Sequence, residues 1–269
     1  MMTIGFIGLG SQGGPMAQRL IEAGHPVMLW ARRPESLAPY RDSGATFADS
    51  VTTLGTACAI VAICVVDDAG VEAICADLIP PMAPGGIIII HSTIHPRTCT
   101  RLADQAAARR ISLIDAPVSG GGGGAAAGTL TVMLGGDADV VAKVTPLLRA
   151  FAGTIVHLGA VGAGQNAKLI NNALMAAHMA LAHNALEAAD AIGVDRTALA
   201  ELVKLSSGRS FGFDVYARQP GVGAFAHGAK LLAKDVGLLG EVMGDAPAYA
   251  VLRDTAHPYL DLVAKSAAA

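Results

Sequence analysis

The sequence reads as an α/β protein, a doubly wound parallel sheet followed by an all-α domain that a long helix joins to it. Two observations predict this. Short, continuously apolar runs alternate with stretches of helical period as far as Gly159, and the alternation then stops, giving way after Gly164 to a long run rich in Ala, Leu and Met. Strands that are apolar throughout are buried on both faces, and alternation with helices is how a parallel sheet is wound.

Taken in order, TIGFIG (Thr3 to Gly8), PVMLW (Pro26 to Trp30), AIVAICVV (Ala59 to Val66), GIIIIH (Gly86 to His91) and SLIDAP (Ser112 to Pro117) read as buried strands. PMAQRLIEAG (Pro15 to Gly24), between the first two, spaces its apolar residues as a helix does. TLTVMLGG (Thr129 to Gly136) and TIVHLG (Thr154 to Gly159) add two strands around a helix near DVVAKVTPLLRAF. Beyond them, Asn166 to Ile192 reads as one long helix, with further helices over Asp195 to Leu205, Gly228 to Met243 and Ala248 to Ala264. The expected domains are residues 1–164 and 165–269, with a ligand expected in the cleft between them.

Composition narrows the function. Hydrophobic residues make up 52% of the 269 and charged residues 15%, enough for a large core, and a net charge of -3 gives no reason to expect nucleic acid or an anionic membrane. ALMAAHMALAH, the best candidate for a membrane span, is interrupted by His178 and His183. Cys58, Cys64, Cys75 and Cys99 have no metal-binding spacing and read as reduced thiols. MMTIGFIGLG runs straight into a strand without a basic segment, so no signal peptide is expected and a cytoplasmic protein is.

GLGSQG, residues Gly8, Leu9, Gly10, Ser11, Gln12 and Gly13, follows the first strand and precedes a helix. In that setting glycines allow a tight turn and let a pyrophosphate approach the helix N-terminus, whose amides favour anions. After the second strand, LWARRPE puts Ala31 where an NAD site usually has an acid, with Arg32 and Arg33 next. Guanidiniums attract the 2′-phosphate that an acid would repel, so NADP(H) is favoured over NAD(H), which stays possible.

Two further stretches carry chemistry. DAPVSGGGGGAAAGTL (Asp115 to Leu130) is a linker by composition, but it leaves a strand, carries Ser119 and enters another strand; amides after a serine suit a substrate carboxylate. In GAGQNAKLINNAL (Gly162 to Leu174), Lys168 and Asn172 lie four apart and share a helix face, where a solvated lysine would be the ordinary reading.

These stretches together resemble the β-hydroxyacid dehydrogenases, the 3-hydroxyisobutyrate dehydrogenase and tartronate semialdehyde reductase group. The resemblance spans nearly the whole chain through GFIGLGSQGGPMA, HSTIHP, DAPVSGG, GAGQNAKLINN and AKDVGLLGE, in that order. It implies an N-terminal Rossmann domain, a helical C-terminal domain and interconversion of a small 3-hydroxy acid with its semialdehyde. It implies Lys168 as the catalytic lysine and Asn172 as the residue orienting substrate. Ser119, Gly120 and Gly121 match the loop holding the substrate carboxylate; Val65, Val66 and Thr93 match cofactor contacts; Lys234 matches a lysine near the nicotinamide, with Asp235 its usual neighbour. Desolvation and Lys234 are both expected to lower the pKa of Lys168.

Gln12 departs from the family's common methionine, and Gly122 and Gly123 from larger or charged residues, which implies a looser loop and a roomier pocket. His91, His95, His178 and His183 form two pairs without an evident carboxylate partner and read as structural, so no metal is expected. SSGRSF (Ser206 to Phe211) is either the aromatic side of the pocket or a surface loop. The competing functions are reduction of C=N bonds, as in the related imine reductases that commonly lack the lysine, and a non-catalytic NADP-binding module. The sparingly charged, alanine-rich helices imply a homodimer or homotetramer.

If Arg32 holds the 2′-phosphate, Arg32→Ala should weaken NADPH use about tenfold to a hundredfold while sparing NADH, the loss expected for one charge-assisted hydrogen bond. Steady-state kinetics with both cofactors checks this; equal efficiency of the two in the unmodified protein would contradict it.

Overall fold

A computed structural model describes residues 2–268. Its contacts fall into two compact units, residues 1–168 and 169–269. In the first unit the chain runs β1 (Ile4–Ile7), α1 (Gly13–Glu22), β2 (Val27–Trp30), a 3-10 turn (Pro34–Tyr40), β3 (Thr46–Phe47), α2 (Val51–Ala57), β4 (Ile60–Ile63), α3 (Asp68–Leu78), β5 (Ile87–Ile90), α4 (Pro96–Ala107) and β6 (Ser112–Asp115). It continues through β7 (Val118–Ser119), α5 (Gly121–Ala127), β8 (Leu130–Gly135), α6 (Ala138–Leu148) and β9 (Ala152–Gly159) to α7 (Ala163–Ala191), which passes into the second unit. There α8 (Arg196–Lys204), α9 (Phe211–Ala217), a 3-10 turn (Val222–Phe225), α10 (Ala226–Met243) and α11 (Pro247–Ala268) follow.

The sheet order is β3-β2-β1-β4-β5-β6-β8-β7, with β9 beside β8. From β3 to β6 every pairing is parallel. Here the structure adds to the expected parallel sheet: β8 runs antiparallel to β6 and β7, and β9 is parallel to β8. β7 is a two-residue strand at the exit of β6, and the short α5 turns the chain back instead of crossing over the sheet.

Alternation within the strands builds two cores. Ile87 and Ile89 of β5 join Phe6, Leu29 and Ala62 against Met16, Ala17 and Leu20 of α1 and Val144 and Leu148 of α6. Ile88 and Ile90 point the other way, with Ile7, Val61 and Ile63, against Leu54 of α2, Val71 and Leu78 of α3, and Cys99 and Leu102 of α4. The second unit has its own core, in which Leu169, Ala173, Ala176 and Met179 of α7 meet Leu232, Val236 and Leu239 of α10 and Ala256, Tyr259 and Val263 of α11.

Two helices lie outside those expected. The glycine run is not a loop, because Gly121–Ala127 forms α5. Phe211–Ala217, which begins on the last residue of SSGRSF, is also helical and starts with the Ser210 hydroxyl accepting the Phe213 N–H at 3.0 Å. A serine that precedes its own helix is a cap, and a glycine run closed by three alanines supplies the helix former that glycine lacks.

The histidines are spread through both units. His91 is buried at the end of β5, its Nδ1 2.7 Å from the Ala116 carbonyl, between the rings of Phe6 and Phe151. His95 Nδ1 accepts the Arg97 N–H and caps α4. His183 Nδ1 lies 2.8 Å from the Tyr216 hydroxyl. Among the described residues no group of three His, Cys, Asp or Glu is arranged to hold a metal ion, and no helix is long and apolar enough to cross a membrane.

Burial pushes the His91 pKa down from 6.5 to about 4. The folded state therefore holds the neutral ring, and stability from this group is present above about pH 6.5 and lost as pH falls toward 4, roughly 3 kcal/mol in all. In urea unfolding from about pH 7 to 4, the protein should lose stability more steeply than His91→Phe, which has no proton to take up. Parallel slopes would place the titration elsewhere.

Candidate active site

Strand order reverses at β1, with β2 on one side and β4 on the other, and ligands of open α/β sheets bind beyond the carboxyl ends of strands at such a point. The residues expected to hold cofactor leave those ends. Gly8 to Gly13 link β1 to α1, Arg32 and Arg33 follow β2 and are exposed, Val65 and Val66 follow β4, and Thr93 follows β5. The glycines divide by role. A side chain on Gly8, whose φ is +99°, would collide with the Cys64 carbonyl, and one on Gly13 with the Gly8 carbonyl, so both are required by the turn itself. A Cβ on Gly10 meets nothing within 4 Å among the described residues; that face of the turn is open. α1 has no acidic residue in its first turn, and Gln12 precedes it without a side-chain cap. A turn closed on the protein side and open on the other, ahead of a helix N-terminus free of acids, fits a dinucleotide pyrophosphate.

The segment expected to hold a substrate carboxylate adjoins this turn. Ser119 ends β7, Gly120 precedes α5 with φ +129°, and Gly121 is the first residue of α5. α5 is pressed so closely on the cofactor turn that a Cβ on Gly122 would collide with the Ser11 carbonyl, whereas Gly123 has open space around it. The looser loop expected from these glycines is therefore corrected: the segment is helical, and Gly122 is small because it packs.

Lys168 lies in α7, and what positions it is Asp115. This carboxylate, at the buried end of β6, accepts the Gly162 N–H at 2.7 Å and the Gln165 N–H at 2.7 Å, capping the helix that carries the lysine. Burial pushes the Asp115 carboxyl above the usual carboxylate range, against the pull of these amides. Lys168 is itself only 8% exposed, and Asn172, one turn on, 9%. In the second unit, Asn172 Nδ2 donates to Asp235 Oδ2 at 2.6 Å, and Lys234 Nζ is 3.1 Å from Asp235 Oδ1. Asn171 Nδ2 donates to Asn172 Oδ1 at 3.1 Å, so both ends of the Asn172 amide are held.

Sequence reasoning missed two working residues and undervalued a third. Asp115 was legible only as the start of a glycine-rich stretch, although a carboxylate ending an apolar strand has to find buried donors. Gln165 gave no signal. Asp235 stood as a neighbour of Lys234 and is in fact the buried anchor of Asn172.

Comparison with known proteins gives the family. Residues 3–159 match the NAD binding domain of 6-phosphogluconate dehydrogenase, and residues 162–268 match the NAD-binding domain of NADP-dependent 3-hydroxyisobutyrate dehydrogenase. A 3-hydroxyisobutyrate dehydrogenase of Pseudomonas aeruginosa is 37% identical over 88% of this chain and 84% of its own length. An NAD-dependent L-serine dehydrogenase of the same organism is 37% identical over 90% and 85%. The solved structure of Mycobacterium tuberculosis 3-hydroxyisobutyrate dehydrogenase with L-serine superposes with a TM-score of 0.86 at 29% identity, covering 100% of this chain and 94% of that one.

The packing of α5 on the cofactor turn gives a paired expectation. Gly122→Ala should weaken NADPH binding about tenfold by displacing Ser11, while Gly123→Ala should leave binding unchanged and stabilise the protein by up to about 1 kcal/mol through helix propensity. Fluorescence titration and urea unfolding of both variants check this; equal binding by the two would remove Ser11 from the explanation.

With the cofactor turn at the strand switch point, the buried lysine and asparagine in one helix, and family matches over both halves, the chain belongs to the β-hydroxyacid dehydrogenase family and is an NAD(P)-dependent dehydrogenase.

Proposed function

We propose that the protein interconverts a small 3-hydroxy acid and its semialdehyde or oxo acid with NADP(H), using Lys168 as general acid and base. The observation that carries this reading is the burial of Lys168, one turn before an asparagine whose amide is fixed by a buried aspartate. A lysine without a function near a helix start stays solvated. The relatives support the substrate class: 3-hydroxyisobutyrate and L-serine are both small carboxylic acids with a hydroxyl on the β carbon.

In this reading Gly8, Leu9, Gly10, Ser11, Gln12 and Gly13 hold the pyrophosphate, Arg32 and Arg33 the 2′-phosphate, and Val65, Val66, Thr93 and Lys234 flank the rest of the cofactor. A nicotinamide held there would supply hydride-donor or hydride-acceptor chemistry at the substrate's carbonyl or carbinol carbon. Ser119 and the amides of Gly120 and Gly121 hold the substrate carboxylate, which turns the reacting carbon into a fixed position. Lys168, as the ammonium, donates a proton to the carbonyl oxygen in reduction; as the amine, it removes the hydroxyl proton in oxidation. Asn172 orients that oxygen, and Asp235 keeps the asparagine from turning. Exposed Ile170, Leu174 and Leu181 along α7 support a homodimer or homotetramer, and four free cysteines support a reducing, cytoplasmic setting.

Turnover of NADPH with a panel of semialdehydes, and of NADP with small 3-hydroxy acids and their methyl esters, tests the reading. Acids should react and esters should not. Lys168→Ala should lose about 10²–10⁴-fold in kcat while keeping NADPH affinity, and Lys168→Arg should not restore it, because a guanidinium does not give up its proton at neutral pH. Near-normal turnover by both variants would return Lys168 to a structural role. Activity confined to imines would identify a C=N reductase, and no turnover with any substrate a binding module.

A further inference from the structure

Gln165 is wholly buried, and a glutamine in that position has to satisfy both ends of its amide. Both go to one short piece of main chain. Its Oε1 accepts the Ile94 N–H at 3.1 Å, and its Nε2 donates to the Ser92 carbonyl at 2.8 Å. The residue bracketed by these bonds is Thr93. Ser92 in turn accepts, through its hydroxyl, the Val65 N–H at 2.7 Å, so the ends of β4 and β5 are tied together at the same place. On the other side, the Gln165 N–H is one of the two amides that Asp115 caps, and Lys168 follows three residues later in the same helix. An apolar side chain of similar volume would fill this space without burying an amide, which points to a role in geometry rather than in packing.

We propose that Gln165 is a positioning residue for the hydride-transfer site: its side-chain amide locks the Ser92–Ile94 segment to the first turn of α7, holding the cofactor-facing Thr93 and the acid/base Lys168 in one register. This rests on the roles given to Thr93 and Lys168 under the proposed function. The amide can do what a carboxylate of the same shape cannot, because one end accepts and the other donates. In Gln165→Glu the protonated side chain keeps both bonds, its carbonyl accepting from Ile94 and its hydroxyl donating to Ser92. Once ionised, it turns a second acceptor toward the Ser92 carbonyl and the tie breaks. The titratable groups against this position are Asp115 from β6 and Cys99 from α4, with Lys168 three residues on in the same helix. All three are also present in the unmodified protein, whose own pH profile is the reference, and a pH-dependent ratio reports the introduced carboxylate together with its coupling to Asp115.

The test is fluorescence titration with NADPH alone, which needs no substrate, together with urea unfolding at each pH. At about pH 5.5 Gln165→Glu should bind NADPH within about twofold of the unmodified protein, and at about pH 8.5 at least about tenfold more weakly. Gln165→Met should be weaker by about tenfold at both values, with no pH-dependent ratio. A flat ratio for Gln165→Glu, or a Gln165→Met protein that is less stable but binds NADPH normally, would reduce Gln165 to a core residue and overturn the proposal. If Gln165→Met does not fold, the pH-dependence of Gln165→Glu decides by itself. Normal NADPH binding by the unmodified protein with a flat ratio rejects this inference alone; failure of the unmodified protein to bind NADPH rejects the cofactor reading and this inference together.

Discussion

The geometry of the site hangs on one buried carboxylate. Asp115 ends a strand in the interior of the first unit, and its carboxylate accepts main-chain amides that arrive 47 and 50 residues later. Those amides are the opening of α7, so the strand that leads to Ser119 also fixes where the helix of Lys168 and Asn172 begins. The surroundings are shaped to admit it: a side chain on Gly135 would collide with Asp115, and Gly164 stands close against its other oxygen. Ionising a buried group has a cost, seen in the raised pKa of Asp115, and the capped helix is what offsets it.

A second buried carboxylate plays the same part in the helical unit. Asp235 is 3% exposed, and it fixes Asn172 on one oxygen and Lys234 on the other. The start of α7 is thus held by one aspartate, and in the second unit Asn172 is held by another. Neither needs to touch substrate. Each converts a flexible polar side chain, or a free helix end, into one with a single available orientation, and pre-organisation of that kind is where much of an enzyme's rate originates.

The cofactor turn is governed by steric exclusion rather than by charge. Gly8 and Gly13 are required by carbonyls inside the turn, Gly10 faces outward into space, and Gly122 brings α5 against Ser11. The segment of residues 119–127 and the glycine turn after β1 are therefore parts of one packed surface, and a change in either is felt by the other.

The strands of the first unit and the long helices of the second were legible in the sequence because their apolar patterns are local: IIII between glycine and histidine, or alanine and leucine at helical spacing, need no distant information. The cofactor turn and the pairing of Lys168 with Asn172 on one face were legible for the same reason, since each depends on spacing within a dozen residues. The tertiary structure decided the rest. Whether the glycine run is loop or helix depends on α1 lying beside it, and the antiparallel direction of β8 follows from how that helix turns the chain. Asp115, Gln165 and Asp235 acquire their roles from partners 47, 71 and 63 residues away. A buried polar group is defined by whichever donors and acceptors the fold brings to it, and that set is written nowhere in its own neighbourhood of the chain.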